Sequence, residues 1–267
     1  MKMKTKYRQL LPAVAFIICS LFACKKDSNS DSDYARPVVQ GYLVPGEAIK
    51  VRVYYQKYLE DTITYGFPIT GLKLNISDGT HTITLTESKE GTYTYASTSF
   101  VADKKTYTLN FAYNDQTISA QTTVPDMPVG FKASNTDQYV PVMTASDPET
   151  FVAVNFNWTN NNGAYYLMAF KNTETNPDQL SSRNFRAYQD SEELVGQVST
   201  WATRQMTFTH KGNYRIKLFH INKEYNDALN SSGGSSLNLT TPYTNIVNGL
   251  GIFTAMQADS LNLRVYQ

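Results

Sequence analysis

Cysteine is nearly absent from this chain: its 267 residues include only two, Cys19 and Cys24. Both fall within the first 24 residues, in a segment with the features of a cleaved N-terminal signal. The remainder of the chain therefore has no cysteine for a disulfide, for a thiolate metal site or for a nucleophile.

A long hydrophobic run is missing as well. Residues 10–18 are apolar apart from Pro12, whereas a bilayer span takes about 20 residues. The run follows four basic residues and fits the apolar region of a secretory signal. Leu21-Phe22-Ala23-Cys24 then resembles a bacterial lipobox, in which the chain is cut before the cysteine and the cysteine is acylated, for example with palmitate. We therefore expect a lipoprotein signal peptide at residues 1–23 and a lipid on Cys24.

Clusters of basic residues do not occur in the mature part. Loss of the signal peptide removes four basic residues and leaves 20 basic against 23 acidic residues, a net charge of −3. Such a chain has no electrostatic footprint for nucleic acid, so membrane attachment must come from the lipid. Residues 24–36 predict a flexible tether. Lys26-Asp27 with Asp31 and Asp33 also loosely matches an acidic export signal, so both the cell surface and the periplasmic face stay open.

Threonine and tyrosine are frequent, which is typical of strands. Residues 72–76 and 82–86 alternate apolar and polar side chains around Asp78-Gly79, which predicts a hairpin. A second hairpin is predicted where residues 107–111 meet Asn114-Asp115 and return through residues 117–124. Further strands are predicted at residues 38–44, 49–55 and 92–95. About seven strands in this length suit a small β-sandwich.

A proline-rich break at Val124-Pro125-Asp126-Met127-Pro128 interrupts the strand pattern. It predicts a first domain at residues 37–126 and a second at residues 127–267. Strand patterns return at residues 152–158, 164–170, 204–209, 214–220, 251–256 and 261–266. Residues 171–203 look loop-like, with a short helical turn near Glu192-Glu193, and Lys223 to Leu229 has helical spacing. The predicted fold is all-β: two immunoglobulin-like or fibronectin-like β-sandwich domains after a signal peptide and a flexible tether.

The segment from Pro242 to Phe253 contains an Asn-Gly-x-Gly-Ile-Phe motif. Gly249 and Gly251 suit a turn that needs open backbone angles before a buried strand at Phe253. Asn245 and Asn248 suit side-chain bonds to the backbone that fix the loop. A structural role for the motif is therefore favoured over ligand binding.

This segment resembles the C-terminal signature of the Bacteroidota outer-membrane lipoprotein family known as the domain of unknown function numbered 4249. The early strand Pro37-Val38-Val39-Gln40-Gly41-Tyr42 and the Glu224-Tyr225 step resemble the same family. The resemblance implies an envelope location and a genomic association with TonB-dependent uptake systems. It implies no reaction.

Catalytic patterns are lacking in the sequence. The three histidines, His81, His210 and His220, have no metal-ligand spacing, so neither a metal nor a cofactor is expected. Paired carboxylates for acid–base work occur only in segments that read as polar loops: Glu60-Asp61, Asp147 with Glu149, and Glu192-Glu193. There is no Gly-x-Ser-x-Gly elbow. We therefore predict that the protein is not an enzyme.

Aromatic residues provide the candidate contacts for a ligand or partner. Exposed rings stack on sugars or form hot spots for proteins, while packing of strands is the simpler role for the same rings. The candidates are Tyr54, Tyr55, Tyr58, Tyr65 and Phe67 in one segment, and Trp201 in a predicted loop.

Two three-residue patterns resemble the O-glycosylation sequon of the same bacterial phylum. They place candidate modifications on Thr62 and Ser260. Overall we predict a non-catalytic outer-membrane lipoprotein that serves as a binding or accessory component of a TonB-dependent nutrient uptake system. A structural or adhesive cell-surface lipoprotein is the alternative, and an envelope glycan hydrolase is the third candidate.

Overall fold

The computed structural model describes residues 36–56, 66–142, 150–181, 188–231 and 243–267. Several predictions fall outside these ranges: the signal peptide with Cys24, the tether, and the side chains of Tyr58, Thr62 and Tyr65. Residues Pro37–Gln267 form one compact unit. Within the described ranges, no helix has the length and apolar character needed to span a membrane.

The described residues contain sixteen strands and one helix. The first eight strands are β1 Pro37–Leu43, β2 Ile49–Tyr55, β3 Asn75–Ser77, β4 Thr82–Thr84, β5 Thr86–Lys89, β6 Thr92–Tyr95, β7 Thr106–Tyr113 and β8 Gln116–Thr123. The others are β9 Val129–Ala133, β10 Asp137–Tyr139, β11 Asn155–Thr159, β12 Tyr165–Asn172, β13 Ser191–Gly196, β14 Thr200–Ala202, β15 Gly212–Ile221 and β16 Leu250–Tyr266. Helix α1, Lys223–Ser231, lies between β15 and β16.

Alternation of side chains determines the faces of the strands. In β2, Ile49, Val51 and Val53 are buried, while Lys50 and Arg52 point to the other face. This is the pattern of a strand with one face on a core and one toward solvent. The tight turn between β7 and β8 has Asn114 at φ 46° and Asp115 at φ 58°. Two consecutive positive φ angles define the turn that matches strand twist, and the predicted hairpin is present.

The strands form three sheets. The largest has nine strands in the order β13-β12-β15-β16-β1-β2-β6-β5, with β10 paired to β16 beside this path. A four-stranded sheet, β4-β3-β7-β8, and a three-stranded sheet, β14-β11-β9, complete the fold. The first core lies between the large sheet and the four-stranded sheet, and the second lies between the large sheet and the three-stranded sheet.

A third, smaller cluster covers the opposite face of the large sheet near its middle. It contains Leu167, Ile221, Tyr225, Ile252 and Met256 and lies beneath α1. The central strands are therefore buried on both faces, which explains the run of six buried residues at positions 252–257 in β16.

Strand β16 connects the two cores. Its first part pairs in parallel with β1, and its later part pairs antiparallel with β15 from Met256 onward. Phe253 and Ala255 enter the first core, and Leu263 and Val265 enter the second. The prediction of an all-β sandwich fold is confirmed. The domain boundary between residues 126 and 127 stays a prediction, and the structure adds that β16 contributes to the core on each side of it.

Three local predictions in the second half are wrong. Glu192 and Glu193 lie in strand β13 instead of a helical turn, and residues 171–203 include β13 and β14. Residues 204–209 are not a strand; the chain turns there, with Thr207 N donating to Arg204 O at 2.9 Å. Pairing with the partner strands β12 and β11 explains β13 and β14, because their own polar residues give no strand pattern.

Candidate functional site

Of the aromatic candidates near β2, the structure describes Tyr54, Tyr55 and Phe67, and Tyr54 and Tyr55 point to opposite faces of the strand. Tyr54 is half-buried on the outer face of β2, where its backbone bridges to Pro68. Tyr55 is 40% exposed, and its side chain forms a hydrogen bond with the side chain of Tyr113. Burial, and then the Tyr55 hydroxyl, raise the pKa of Tyr113 to about 12. Phe67 is 72% exposed, and its carbonyl accepts a hydrogen bond from Tyr55 N at 2.8 Å.

The outer face of β2 forms the floor of a groove that we call the outer groove. It consists of two adjoining concavities of about 310 and 580 Å³, which share Lys50 and Arg52. Tyr54 and Pro68 line one part, and Tyr42 lines the other. Because Lys50, Arg52 and Tyr54 alternate along one strand, they point the same way. The groove therefore combines two cations with an aromatic ring.

Charge in the outer groove is positive on balance. Lys89 adds a third cation, and Glu47 and Glu90 are the acidic residues of the lining. Glu47 Oε1 lies 3.5 Å from Lys217 Nζ on β15, so its charge is partly compensated from outside the groove. Lys50 and Lys89 are exposed, and Arg52 is half-buried. Exposed cations attract acidic groups and steer their approach.

One end of the outer groove is fixed by packing on the third cluster. Gln40 Nε2 donates to the Tyr42 hydroxyl at 3.0 Å. The Tyr42 ring meets Tyr225 of α1 edge to face, with centroids 5.4 Å apart. Burial is the main cause that raises the pKa of the Tyr225 hydroxyl well above its ordinary value, so Tyr225 remains neutral at physiological pH.

A second concavity lies beside Trp201, and we call it the Trp201 cleft. It measures about 210 Å³, and it is lined by Phe170, Ser191, Glu192, Glu193, Trp201, Arg204, Met206 and Thr207. Trp201 is in strand β14, not in a loop, and its half-buried ring packs on Phe156 and Phe170 at centroid distances of 6.0 and 5.4 Å. Glu192 and Glu193 also line this cleft.

The C-terminal motif forms the junction between β1, β8 and β16. Asn245 Nδ2 donates to Phe253 O at 2.7 Å, and Phe253 N donates to Asn245 Oδ1 at 3.0 Å. Asn248 has φ 58°, and its Nδ2 donates to Thr117 O at 3.0 Å. These bonds fix the loop against the strands, and the Phe253 side chain is fully buried.

The two glycines of the motif have different constraints. Gly251 has φ 94°, and a Cβ there would lie 2.0 Å from Val39 O of the paired strand. Gly249 has no positive φ, but a Cβ would lie 2.7 Å from the side chain of Ile246 and 3.1 Å from Pro37 O. Close backbone approach explains Gly251, and crowding by the Ile246 side chain and Pro37 O explains Gly249. Both constraints agree with the structural role predicted for the motif.

Other candidate positions lie apart from the two concavities. Ser260 is half-buried in β16, where its Oγ accepts a hydrogen bond from Arg215 Nη2 at 3.0 Å. His220 Nδ1 lies 2.7 Å from Asp126 O, at the predicted domain boundary. Among the residues that the structure describes, no group of three His, Cys, Asp or Glu side chains is placed to hold a metal ion.

The cationic residues of the outer groove were not predicted as a site. The alternation of Lys50, Arg52 and Tyr54 on β2 was a visible signal for one polar, outward face. Lys89 comes from β5, and nothing in the sequence places it near β2, because β6 lies between the two strands.

Comparison with known proteins gives a family and distant structural neighbours. No curated protein matches the chain. Among solved structures, the chicken CNTN1 FN1-FN3 domains are 10% identical, with a TM-score of 0.27 over 86% of this chain and 64% of that one. A cytokine receptor complex is 10% identical, with a TM-score of 0.25 over 85% of this chain and 95% of that one. Domains A168-A170 from titin are 12% identical, with a TM-score of 0.23 over 86% of this chain and 67% of that one.

This chain spans 64% of the length of the chicken chain that it matches. A family model matches residues 27–262, which is most of the sequence. The chain belongs to the family described as Domain of unknown function (DUF4249).

Proposed function

We propose that this protein is a non-catalytic, lipid-anchored protein of the outer membrane that binds a partner or ligand beside a TonB-dependent transporter. The lipobox at Leu21 to Cys24 and the family resemblance support the location and the transporter. The observation that carries the binding role is the outer groove, in which exposed Lys50 and half-buried Arg52 lie beside Tyr54 on the outer face of β2.

The chemistry of the outer groove favours a partner with acidic groups. Arginine binds carboxylates in a bidentate manner, and a neighbouring tyrosine adds apolar contact area at low entropic cost. The groove is shallow and extended, which suits an acidic loop or strand of a protein better than an enclosed small molecule. An exposed loop of the transporter that carries Asp or Glu side chains is the partner that we propose.

Co-purification tests this role. We expect the wild-type protein, solubilised from outer membranes in mild detergent, to recover a TonB-dependent transporter. The double variant Lys50→Glu/Arg52→Glu should lose most of that recovery, because it replaces two cations by two anions. Lys73→Glu/Lys132→Glu is the matched control, since it makes the same change in charge at exposed positions outside the groove.

Equal recovery of the transporter by both double variants would contradict a role for the groove. Binding to host or matrix polymers without any transporter would favour the adhesive alternative. Circular dichroism melts of both variants establish that the fold is intact before recovery is compared.

Lipid anchoring has its own test. Cys24→Ala should abolish metabolic labelling with a palmitate analogue and release the protein from the membrane fraction, since a lipid supplies about 0.8 kcal/mol per buried methylene. Cys19→Ala is the control, because Cys19 lies inside the predicted signal peptide. Unchanged labelling and retention in Cys24→Ala would refute the lipobox.

A further inference from the structure

The Trp201 cleft contains one aromatic face and polar groups of both charges. Besides Trp201 and Phe170, the lining residues are Ser191, Glu192, Glu193, Arg204, Met206 and Thr207. The cleft lies at the open side of the second sandwich, where β13 and β14 are terminal strands of their two sheets. It is separate from the outer groove and shares no residue with it.

The Trp201 ring is held in place before any ligand arrives. Phe156 and Phe170 support it within the second core. On one side of it, Thr200 Oγ1 donates to Phe156 O at 3.1 Å. On the other side, buried Thr203 donates to Gln138 Oε1 at 2.6 Å. A ring whose orientation is fixed loses little entropy when a ligand binds.

The polar groups of the cleft also extend from fixed backbone. Glu192 and Glu193 lie opposite Ala169 and Met168 in the pairing of β13 with β12. Arg204 is in a closed turn, in which its N–H donates to Thr207 Oγ1 at 2.7 Å. Successive side chains of a strand point to opposite faces: Glu193 lies in phase with Val195 on the side of the second core, and Glu192 lies in phase with Leu194 on the side of α1. The Glu193 carboxylate, a guanidinium donor and an aromatic ring thus surround a space of about 210 Å³.

We propose that the Trp201 cleft binds one unit of a neutral saccharide. A sugar ring stacks its C–H face on tryptophan, while its hydroxyl groups donate to the Glu193 carboxylate and accept from Arg204. One carboxylate and one guanidinium balance each other in charge, so the cleft favours a neutral ligand over a simple anion or a simple cation. The cleft is smaller than the 300–1,000 Å³ that is typical for drug-sized ligands, so it accommodates a single unit of a chain that continues outside.

Fluorescence of Trp201 gives a direct readout. The chain has two tryptophans, and Trp158→Phe leaves Trp201 as the only one. Trp158 Nε1 is buried without a hydrogen-bond partner, so its loss removes no bond. Maltohexaose, cellohexaose, xylohexaose and laminarihexaose are titrated into this variant up to the millimolar range, with tetramethylammonium chloride and sodium sulfate as charged probes.

We expect a saturable change in Trp201 emission with at least one of the four saccharides. Glu193→Gln should weaken that binding about tenfold or more, because a charged acceptor forms stronger hydrogen bonds than a neutral amide. Glu192→Gln is the matched control and should leave it unchanged, since Glu192 lies on the other face of the same strand.

Three results would overturn the proposal: no response to any of the four saccharides, a response that the Glu193→Gln variant retains in full, or a response to tetramethylammonium or sulfate alone. The test is independent of the proposed transporter partner, because that partner is assigned to the outer groove. The result of the Lys50→Glu/Arg52→Glu recovery experiment therefore neither supports nor contradicts saccharide binding in the Trp201 cleft.

Discussion

The two sandwiches of this protein are built from different side chains. Among the described residues, four of the 20 buried side chains of the first core are aromatic, compared with six of the 14 in the second. The first core is dominated by Val, Ile and Leu, which pack evenly between sheets. The second contains a chain of ring contacts such as Phe208 on Tyr214, with centroids 4.8 Å apart.

This difference relates to where each sandwich has its concave surface. The concavity of the aliphatic sandwich, the outer groove, lies on the outer face of β1 and β2. The aromatic core extends to its open side, where the half-buried Trp201 lines a cleft. Large rings bury much area but need edge-to-face or offset geometry, which leaves part of the outermost ring uncovered. The two proposed binding surfaces thus lie on regions whose cores differ in composition.

The largest effect is expected at the strand that joins the two regions. Gly251→Ala places a Cβ 2.0 Å from Val39 O at φ 94°. Overpacking and backbone strain each cost about 1–3 kcal/mol, so we expect a loss of about 4 kcal/mol or no folded protein. Gly46→Ala is the control, since Gly46 also has positive φ but nothing lies within 4 Å of its Cβ. Equal melting temperatures of the two variants would contradict the close approach of β16 to β1.

Truncations on the same strand test whether the two cores unfold together. Phe253→Ala in the first core should cost about 4 kcal/mol and Leu263→Ala in the second about 3 kcal/mol, since both side chains are at most 1% exposed. Because β16 enters both cores, each variant should lower the temperature of one shared transition in calorimetry. Two separate transitions, of which each variant shifts only its own, would show that the sandwiches are independent.

A moderate effect is expected at the loop that closes the first core. Asn245→Ala removes both side-chain bonds to the backbone of Phe253. At about 1 kcal/mol per bond, the free energy of unfolding should fall by about 2 kcal/mol in urea titration. Asn135→Ala is the counterpart in the second half, where the side chain accepts a single exposed bond from Asp137 N. A loss as large in Asn135→Ala would remove the distinction between the two loops.

The smallest effect concerns acid stability in the first sandwich. The Lys105 ammonium, followed by the N–H groups of His81 and Thr80, holds the pKa of Asp78 well below its ordinary value. A depressed pKa contributes stability above the unfolded value of about 3.9, and that stability is lost as the pH falls below it. Lys105→Met should therefore flatten the decline in melting temperature between neutral and strongly acidic pH.

The matched control for this pH dependence is Lys104→Met. Lys104 Nζ lies 2.9 Å from Asp126 Oδ1, but the Asp126 side chain is 62% exposed, compared with 3% for Asp78. Lys104 lowers the pKa of Asp126, and solvent screens this exposed pair. If Lys104→Met flattens the acid profile as much as Lys105→Met, burial of Asp78 is not the reason for the effect.

Local chemistry made the hairpins of the first sandwich predictable. The turns at Asp78-Gly79 and Asn114-Asp115 need positive φ, which Gly, Asn and Asp adopt readily, and the structure has Gly79 at φ 87°. The alternation in β1 and β2 also gave their bounds to within a residue. These signals depend on a few neighbouring residues, so the sequence alone was sufficient.

Long-range pairing made the second half harder to predict. Strand β16 was predicted as two strands because Gln257, Asp259 and Ser260 interrupt the apolar pattern, whereas β15 pairs continuously along this region. The parallel pairing of β1 with β16 joins residues more than 200 positions apart. Pairings of this kind bring together the residues that line each concavity. The sequence therefore shows which residue types are present, but it does not show which of them lie side by side.

Cross-linking is the most direct test of the central claim that the outer groove binds a transporter. An amine-reactive reagent applied to intact outer membranes, followed by mass spectrometry, reports which lysines lie near a partner. Lys50 and Lys89 both line the groove, and we predict that they link to a TonB-dependent transporter. Links to a transporter only from lysines outside the groove, such as Lys171 or Lys211, or no link to any transporter, would contradict the claim.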